Sequence, residues 1–358
     1  MQKRGVAKPL QKFKQVWGKA WWTKTIIVFL AGISLLILLN VLVANWYVAS
    51  TRDKPLKLGV TFVPDYARAL GLDAEETMEA LTRDLGVRHF RLTSYWNKIE
   101  KEQGTYDFSE LDWQFEKAEA VNAKVTLSIG MRQPRWPECH EPDWVKNLSI
   151  DERQQHLHTF LSKVIDRYKH SSSLTSYQLE NEALLKSFGE CPDTTRKYLQ
   201  EEFDLVKKLD SKHPIIMSKS NNFPSLSLGK PRPDIVGMSV YRKVWNTNIY
   251  NGYFTYPMPS WYYAAIAGWQ KIWTGKDTIL HEMQMEPYPP SGTFVADASL
   301  EEQDKSMSAR DFAPRVEFAK QTGMREIYLW GAEWWYYRLV ELDDPRVWDE
   351  AKKTFRES

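Results

Sequence analysis

The sequence predicts an α/β fold: a closed (β/α)8 TIM barrel preceded by one N-terminal transmembrane helix. Three observations carry that expectation. Eight short apolar runs, each bounded by Gly, Pro or charge, recur between residues 56 and 331. Stretches with helical spacing of apolar residues separate most of them. Ahead of all of them lies a long run without a charged residue, residues 25–49.

Taken in order, residues 1–24 hold seven basic residues (Lys3, Arg4, Lys8, Lys12, Lys14, Lys19 and Lys24) and no acidic one. They read as a cytoplasmic tail. Residues 25–48 read as the membrane anchor, since about 20 apolar residues cross a bilayer. A cleaved signal peptide has a shorter apolar core and small residues before the cut, whereas Tyr47 stands where a small residue is wanted. Trp21, Trp22, Trp46 and Tyr47 lie near the two ends, where interfacial aromatics belong. The expected topology is single-pass in the cell membrane, with the N-terminus cytoplasmic and the body outside. A polar linker, 49–55, leads to the barrel, 56–358.

The candidate strands are residues 56–63, 87–93, 124–130, 174–180, 214–220, 234–240, 277–282 and 325–331. Short apolar runs of this kind suit parallel strands covered on both faces. Helices are expected between most of them. One opens with Ser109 as its N-cap, and another stops at Gly86. The segment after the fifth strand, NNFPSLSLGKPRP, carries no helical pattern. A doubly wound sheet needs a Gly-rich first turn, which LGVTFVPDYARALG lacks.

Composition narrows the function. Beyond residue 24 the chain holds 41 basic and 46 acidic residues, a slightly acidic body that argues against nucleic acid as a partner. The aromatic content is high, with 16 Trp, 17 Tyr and 15 Phe, enough for a large core, a carbohydrate cleft, or both. HEMQM does not complete a zinc helix, because the second His position is Met285. No metal or other cofactor is called for.

In a barrel the active site lies at the C-terminal ends of the strands. Strand two ends near Arg91, strand four at Glu180-Asn181-Glu182, strand six at Tyr241, strand seven at His281-Glu282 and strand eight at Trp330. Two carboxylates from opposite parts of the rim, among Arg, Asn, Tyr and Trp, suit glycoside hydrolysis. That reaction needs one carboxylic acid to protonate the leaving oxygen and one carboxylate to attack or to activate water.

Four segments also resemble the clan of retaining (β/α)8 glycosidases that includes β-galactosidases and cellulases. They are YQLENE, TILHEMQMEPY, RHFRLTSYWNKIEKEQGTYDFSELD and YLWGAEWWYY. The resemblance implies Glu182 as acid/base, Asn181 as the ligand of a sugar hydroxyl, Glu282 as nucleophile and Arg91 as its support. His281 departs from the pattern, and Glu286 is a competing nucleophile or a substrate-binding residue. Trp330, Tyr241 and Trp136 are further substrate-binding candidates, with Trp245 and Tyr250 as possible stacking rings in the long segment 241–269. Glu180, two residues before Glu182, is expected deeper in the site. Cys139 and Cys191 fall in the rim loops after strands three and four, which are neighbours in a barrel, so a disulfide is expected. The expected substrate is an oligo- or polysaccharide, and the other partner is the lipid bilayer through residues 25–48. A transglycosylase with the same residues and a non-catalytic sugar-binding barrel are the alternatives.

Overall fold

The computed structural model describes residues 21–185, 188–192, 194–220, 226–247 and 250–357. Eight parallel strands close into a barrel: β1 (Lys57–Thr61), β2 (His89–Thr93), β3 (Lys124–Ile129), β4 (Leu174–Leu179), β5 (Ile215–Ser220), β6 (Ile235–Val240), β7 (Asp277–Gln284) and β8 (Glu326–Trp330). Each pairs with its sequence neighbours, and β1 pairs with β8 to complete the ring. All eight expected strands are present. Between β6 and β7 the chain adds an antiparallel hairpin, Lys243–Asn246 with Gly252–Thr255, before the helix Ser260–Thr274. After β5, residues 226–234 contain no helix, as their sequence suggests.

The strands are buried on both faces, which is why they read as near-continuous apolar runs. Outward residues such as Val60, Phe90, Val125 and Leu127 are sealed under the helices. The barrel interior is layered. In its lower layer, Thr126 Oγ1 lies 2.8 Å from Ser176 Oγ and 2.9 Å from Tyr328 Oη, beside Ile216 and Ile279. Above that layer the interior becomes charged.

Two local departures from regular strand geometry shape the upper layer. On β7 the register slips, so that Leu280 opposes Met238 but Glu282, not His281, opposes Ser239. This bulge lets consecutive residues face inward. His281 packs edge-on to Tyr328 at 5.6 Å, and Glu282 sits above it. Gly237 leaves the room: a Cβ there would come within 3.0 Å of the His281 ring. On β4 the pleat ends in a kink, with Glu180 at φ 53° and Glu182 at φ 45°. Non-glycine residues rarely adopt this left-handed conformation, and such residues gather at functional sites.

The N-terminal helix is described from Trp21 to Thr51 and is long and apolar enough to cross a bilayer. Its apolar side chains are mostly exposed through Leu42, then Val43, Ala44, Tyr47 and Thr51 become buried. These last turns pack on the helix Ser260–Thr274. Gly268 makes the approach possible, since a Cβ there would meet Val43 Cγ1 at 2.7 Å. Trp269 Nε1 donates to Asn40 Oδ1 at 3.0 Å. The helix thus continues into residues 49–51, part of the segment whose sequence reads as a linker.

Candidate active site

The strand ends bring Arg91, Asn181, Glu182, Tyr241, Glu282, Glu286 and Trp330 to one mouth. Arg91, fully buried on β2, is the hub. Its Nη1 donates to Glu282 Oε1 at 2.7 Å, its Nη2 to Asn181 Oδ1 at 3.1 Å and its Nε to Gln178 Oε1 at 2.7 Å. Ser128 Oγ donates to the same Gln178 oxygen at 2.7 Å. Such charge-assisted bonds are short and orient both partners. The other oxygen of Glu282 accepts from Tyr241 Oη at 3.0 Å. Burial and the surrounding carboxylates hold the Tyr241 phenol well above its usual range, so it stays a donor.

Asn181 is fixed from several sides. Its Oδ1 accepts from Arg91, from Gln178 Nε2 at 2.9 Å and from Ser218 Oγ at 3.1 Å, and its Nδ2 donates to Glu138 Oε2 at 2.9 Å. One amide hydrogen remains for a ligand. Glu182, on the next residue, is half-buried. Burial first, and then the nearby charge of Glu282, push its carboxyl up to about 7. Glu138 is pushed up to about 8, again chiefly by burial.

Glu180 has a different role from its neighbours. The kink turns its carboxylate away, onto the backbone N–H groups of Met131 and Arg132, each at 2.7 Å. Gly130, at φ 112°, makes space for it: a Cβ there would lie 2.1 Å from Glu180 Oε1. Glu180 therefore clamps the loop after β3 to the end of β4. Beside it is the buried Glu202, whose carboxyl is raised well above the usual range by burial first and then by the charge of Glu180.

The far side of the mouth is closed by a second cluster. Arg135, from the loop after β3, lies between two rings, 3.4 Å from the Tyr66 centroid and 4.3 Å from that of Trp330. Its Nη1 and Nη2 take the two oxygens of Glu286 at 2.5 and 3.1 Å, and Nη2 also lies 3.5 Å from Glu333 Oε2. Trp330 Nε1 donates to Glu286 Oε1 at 2.6 Å. Both oxygens of Glu286 are thus engaged by protein. Gly331, at φ 109°, admits this arrangement, because a Cβ there would stand 2.4 Å from Glu286 Cβ.

Trp136 is 60% exposed, and its ring contact is edge-on to Phe188 at 5.7 Å. Cys139 and Cys191 form a disulfide that joins the loops after β3 and β4. Arg132 adds to the joint by donating to the carbonyls of Leu185 and Phe188 at 2.9 and 2.7 Å. Trp245 stacks edge-on with Tyr253 at 5.1 Å within the hairpin, and Tyr250 is half exposed beside it. Sequence reasoning did not single out Gln178, Glu138, Arg135 or Glu333. Gln178 had a signal, being two residues before Glu180 on the strand. Glu333 had one too, an acid set in an aromatic run just beyond β8.

Residues 72–217 match a glycoside hydrolase family 42 model described as beta-galactosidase. The matched segment contains Arg91, Asn181 and Glu182. The match spans residues 72–217, fewer than half of the chain, and is a likeness to that family over this segment. Solved structures agree in fold. A beta-galactosidase from the Antarctic haloarchaeon Halorubrum lacusprofundi superposes with a TM-score of 0.57 at 14% identity, covering 84% of this chain and 58% of that one. An exo-beta-1,4-mannosidase from Opitutaceae bacterium strain TAV5 gives a TM-score of 0.51 at 16% identity, covering 77% of this chain and 51% of that one. This chain therefore spans little more than half the length of those two chains. Xylanase 10B from Thermotoga maritima is similar along nearly its full length: TM-score 0.55, 17% identity, 87% of this chain and 98% of that one. No curated protein matches in sequence.

Proposed function

We propose that this protein is a membrane-anchored retaining glycosidase that cleaves a β-linked glycan outside the membrane, with Glu182 as acid/base and Glu282 as nucleophile. The observation that carries the reading is the unlike setting of the two carboxyls. Glu282 is ion-paired to Arg91 and held by Tyr241, whereas Glu182 is pushed up to about 7. Pairs of carboxyls with divergent environments are how one site supplies both an acid and a base at neutral pH.

The chemistry follows from those settings. A Glu282 oxygen attacks the anomeric carbon while Glu182 gives its proton to the glycosidic oxygen. The C–O bond breaks, and the leaving alcohol departs neutral. Glu182, now ionised, takes a proton from water. The hydroxyl then adds to the anomeric carbon and frees Glu282. Arg91 and Tyr241 keep the nucleophile in one orientation, and the remaining amide hydrogen of Asn181 serves a sugar hydroxyl. The exposed apolar part of the helix beyond Lys24, Thr25–Leu42, is roughly 27 Å long at 1.5 Å per residue, close to the thickness of a bilayer core. The basic residues that precede it favour the cytoplasmic side.

A panel of aryl β-glycosides and β-linked oligosaccharides tests the proposal on the full chain in detergent. At least one should be hydrolysed, and Glu282→Gln should reduce the rate by 1,000-fold or more. Equal rates from wild type and Glu282→Gln would remove the catalytic claim.

A further inference from the structure

Resting on the membrane-anchor part of that reading, a second element of the chain lies at bilayer depth. The apolar run of the anchor begins after Lys24, and a hydrocarbon core of about 30 Å takes about 20 helical residues. Counted from Thr25, those residues end near Ala44. The last of them are already held by the barrel. Val43 and Ala44 are buried, Val43 at Gly268 of the helix Ser260–Thr274, and Asn40 Oδ1 accepts from Trp269 Nε1 at 3.0 Å. Gly268 and Trp269 therefore stand at the depth of the core's edge on the barrel side.

We propose that Ile272 and Trp273 insert into the barrel-side leaflet of the bilayer that the anchor crosses, so that the barrel rests on lipid at the end remote from Glu182 and Glu282. The helix that carries them, SWYYAAIAGWQKIWT, contains no acidic residue. One turn beyond Trp269 and on its face, Ile272 and Trp273 are 50% and 65% exposed, and Trp46 of the anchor is 46% exposed. Large apolar side chains left open together mark an interaction surface. Tryptophan beside lysine, here Lys271 and Lys276, is the composition of a membrane–water interface. The position follows from the topology. The helix Ser260–Thr274 ends just before β7 begins, opposite the mouth, and the chain leaving the anchor meets that same end. Arg325 Nε donates to the Lys54 carbonyl at 3.0 Å, and Lys54 and Lys271 both reach Asp277 Oδ1, at 3.4 and 3.0 Å. These contacts tie barrel to anchor, so the depth of the anchor sets the depth of Trp273. Depth also favours lipid over a second copy of the chain. Trp273 is one turn, about 5 Å, from the residue that bonds Asn40, and Asn40 lies a turn inside the expected edge of the core.

The test is site-directed spin labelling of the full chain in vesicles of phosphatidylcholine and phosphatidylglycerol in equal parts. Cys139 and Cys191 are tied in a disulfide, so one introduced thiol takes the nitroxide selectively. The label is placed by Trp273→Cys, by Ile272→Cys, by Leu36→Cys in the anchor and by Asp166→Cys on the exposed face of the helix Ile150–Tyr168. Collision with oxygen, which concentrates in lipid, is read against collision with a nickel chelate, which stays in water. The ratio at positions 273 and 272 should exceed that at 166 at least fivefold and approach that at 36. Position 272 repeats the reading at a neighbouring site, and thermal unfolding against wild type shows that each variant is folded. A ratio at 273 and 272 equal to that at 166, with lipid contact at 36, overturns the proposal and leaves the anchor standing. Shielding of 273 from both reagents would mean that protein covers the surface, and overturns it as well. Nickel access at 36 removes the anchor and the lipid contact together. The readout does not depend on turnover, so none of these outcomes touches the catalytic reading.

Discussion

Arg135 offers the sharpest test of how the mouth is held together. Arg135→Met keeps most of the apolar stem between Tyr66 and Trp330 but removes the charge. Two buried acids then lose their shared cation, Glu286 at 2.5 and 3.1 Å and Glu333 at 3.5 Å. Removing one partner of a buried ion pair costs about 3–5 kcal/mol, and lost cation–π contact adds about 1 kcal/mol. The cost must depend on pH. Glu333 already sits at about 7, raised mainly by burial and opposed by Arg135. Without the cation its folded-state value rises further. A carboxyl raised in the folded state contributes stability that is intact below its unfolded value and lost as pH rises through the folded one. The variant should therefore lose about 3–5 kcal/mol at pH 8, and under about 2 kcal/mol at pH 5, where the Glu333 carboxyl is protonated. At roughly 2 °C per kcal/mol for a domain of this size, the drop in Tm at pH 8 is about 6–10 °C. Thermal unfolding of the full chain at the two pH values reads this directly. An equal drop at both would show that ring packing, not charge, supports the wall. No drop at either would remove the cluster from the account.

Hydrolysis should fall as pH rises through about 7, because the first step needs Glu182 protonated, and a pH–rate profile of kcat/KM on any accepted glycoside locates that limb. Glu202→Gln should make the protein less sensitive to alkali. Glu202 is raised well above its usual range by burial and by the charge of Glu180, so the wild type loses stability as pH climbs past the folded value, and an amide in its place does not titrate. Denaturation at pH 6 and 9 should show a smaller difference in the variant than in wild type. Gly130→Ala should cost roughly 3–6 kcal/mol, from a left-handed backbone and from expelling the Glu180 carboxylate off two amides, and it should depress hydrolysis because Glu182 is two residues away. Unchanged Tm and rate in that variant would show that Glu180 does not fix the end of β4.

The barrel was legible because its signal is repetitive. Eight short apolar runs mark strands buried on both faces, and most helices between them carry their own periodicity. The mouth residues Arg91, Asn181, Glu182, Tyr241, Glu282 and Trp330 were legible for a simpler reason: each stands at a strand end. The aim of the side chains was not. Strand alternation places Gln178 and Glu180 on one face, and only the left-handed kink sends Glu180 to the Met131 and Arg132 amides. Nothing in a glutamate's identity announces φ near 50°. The bulge at His281 is equally silent, although it puts Glu282 opposite Ser239. In the loop after β3 the sequence drew attention to the ring of Trp136, while it is Arg135 that reaches across to Tyr66 and Trp330. Loop paths depend on distant partners, here the Glu180 clamp and the Cys139–Cys191 link, which local pattern does not encode. The apolar N-terminal helix was plain from composition, but its docking through Gly268 was not, because a lone glycine in a helix has no fixed meaning.

The most direct measurement is covalent capture. A 2-deoxy-2-fluoro β-glycoside of an accepted sugar slows both steps, and a good leaving group restores the first, so the glycosyl-enzyme accumulates. Peptide mass spectrometry of the full chain should then find one sugar on Glu282, and product released from the unmodified substrate should first appear as the β-anomer. A label on Glu286, or first-formed α-anomer with no label at all, would contradict the assignment of Glu282 as the attacking group.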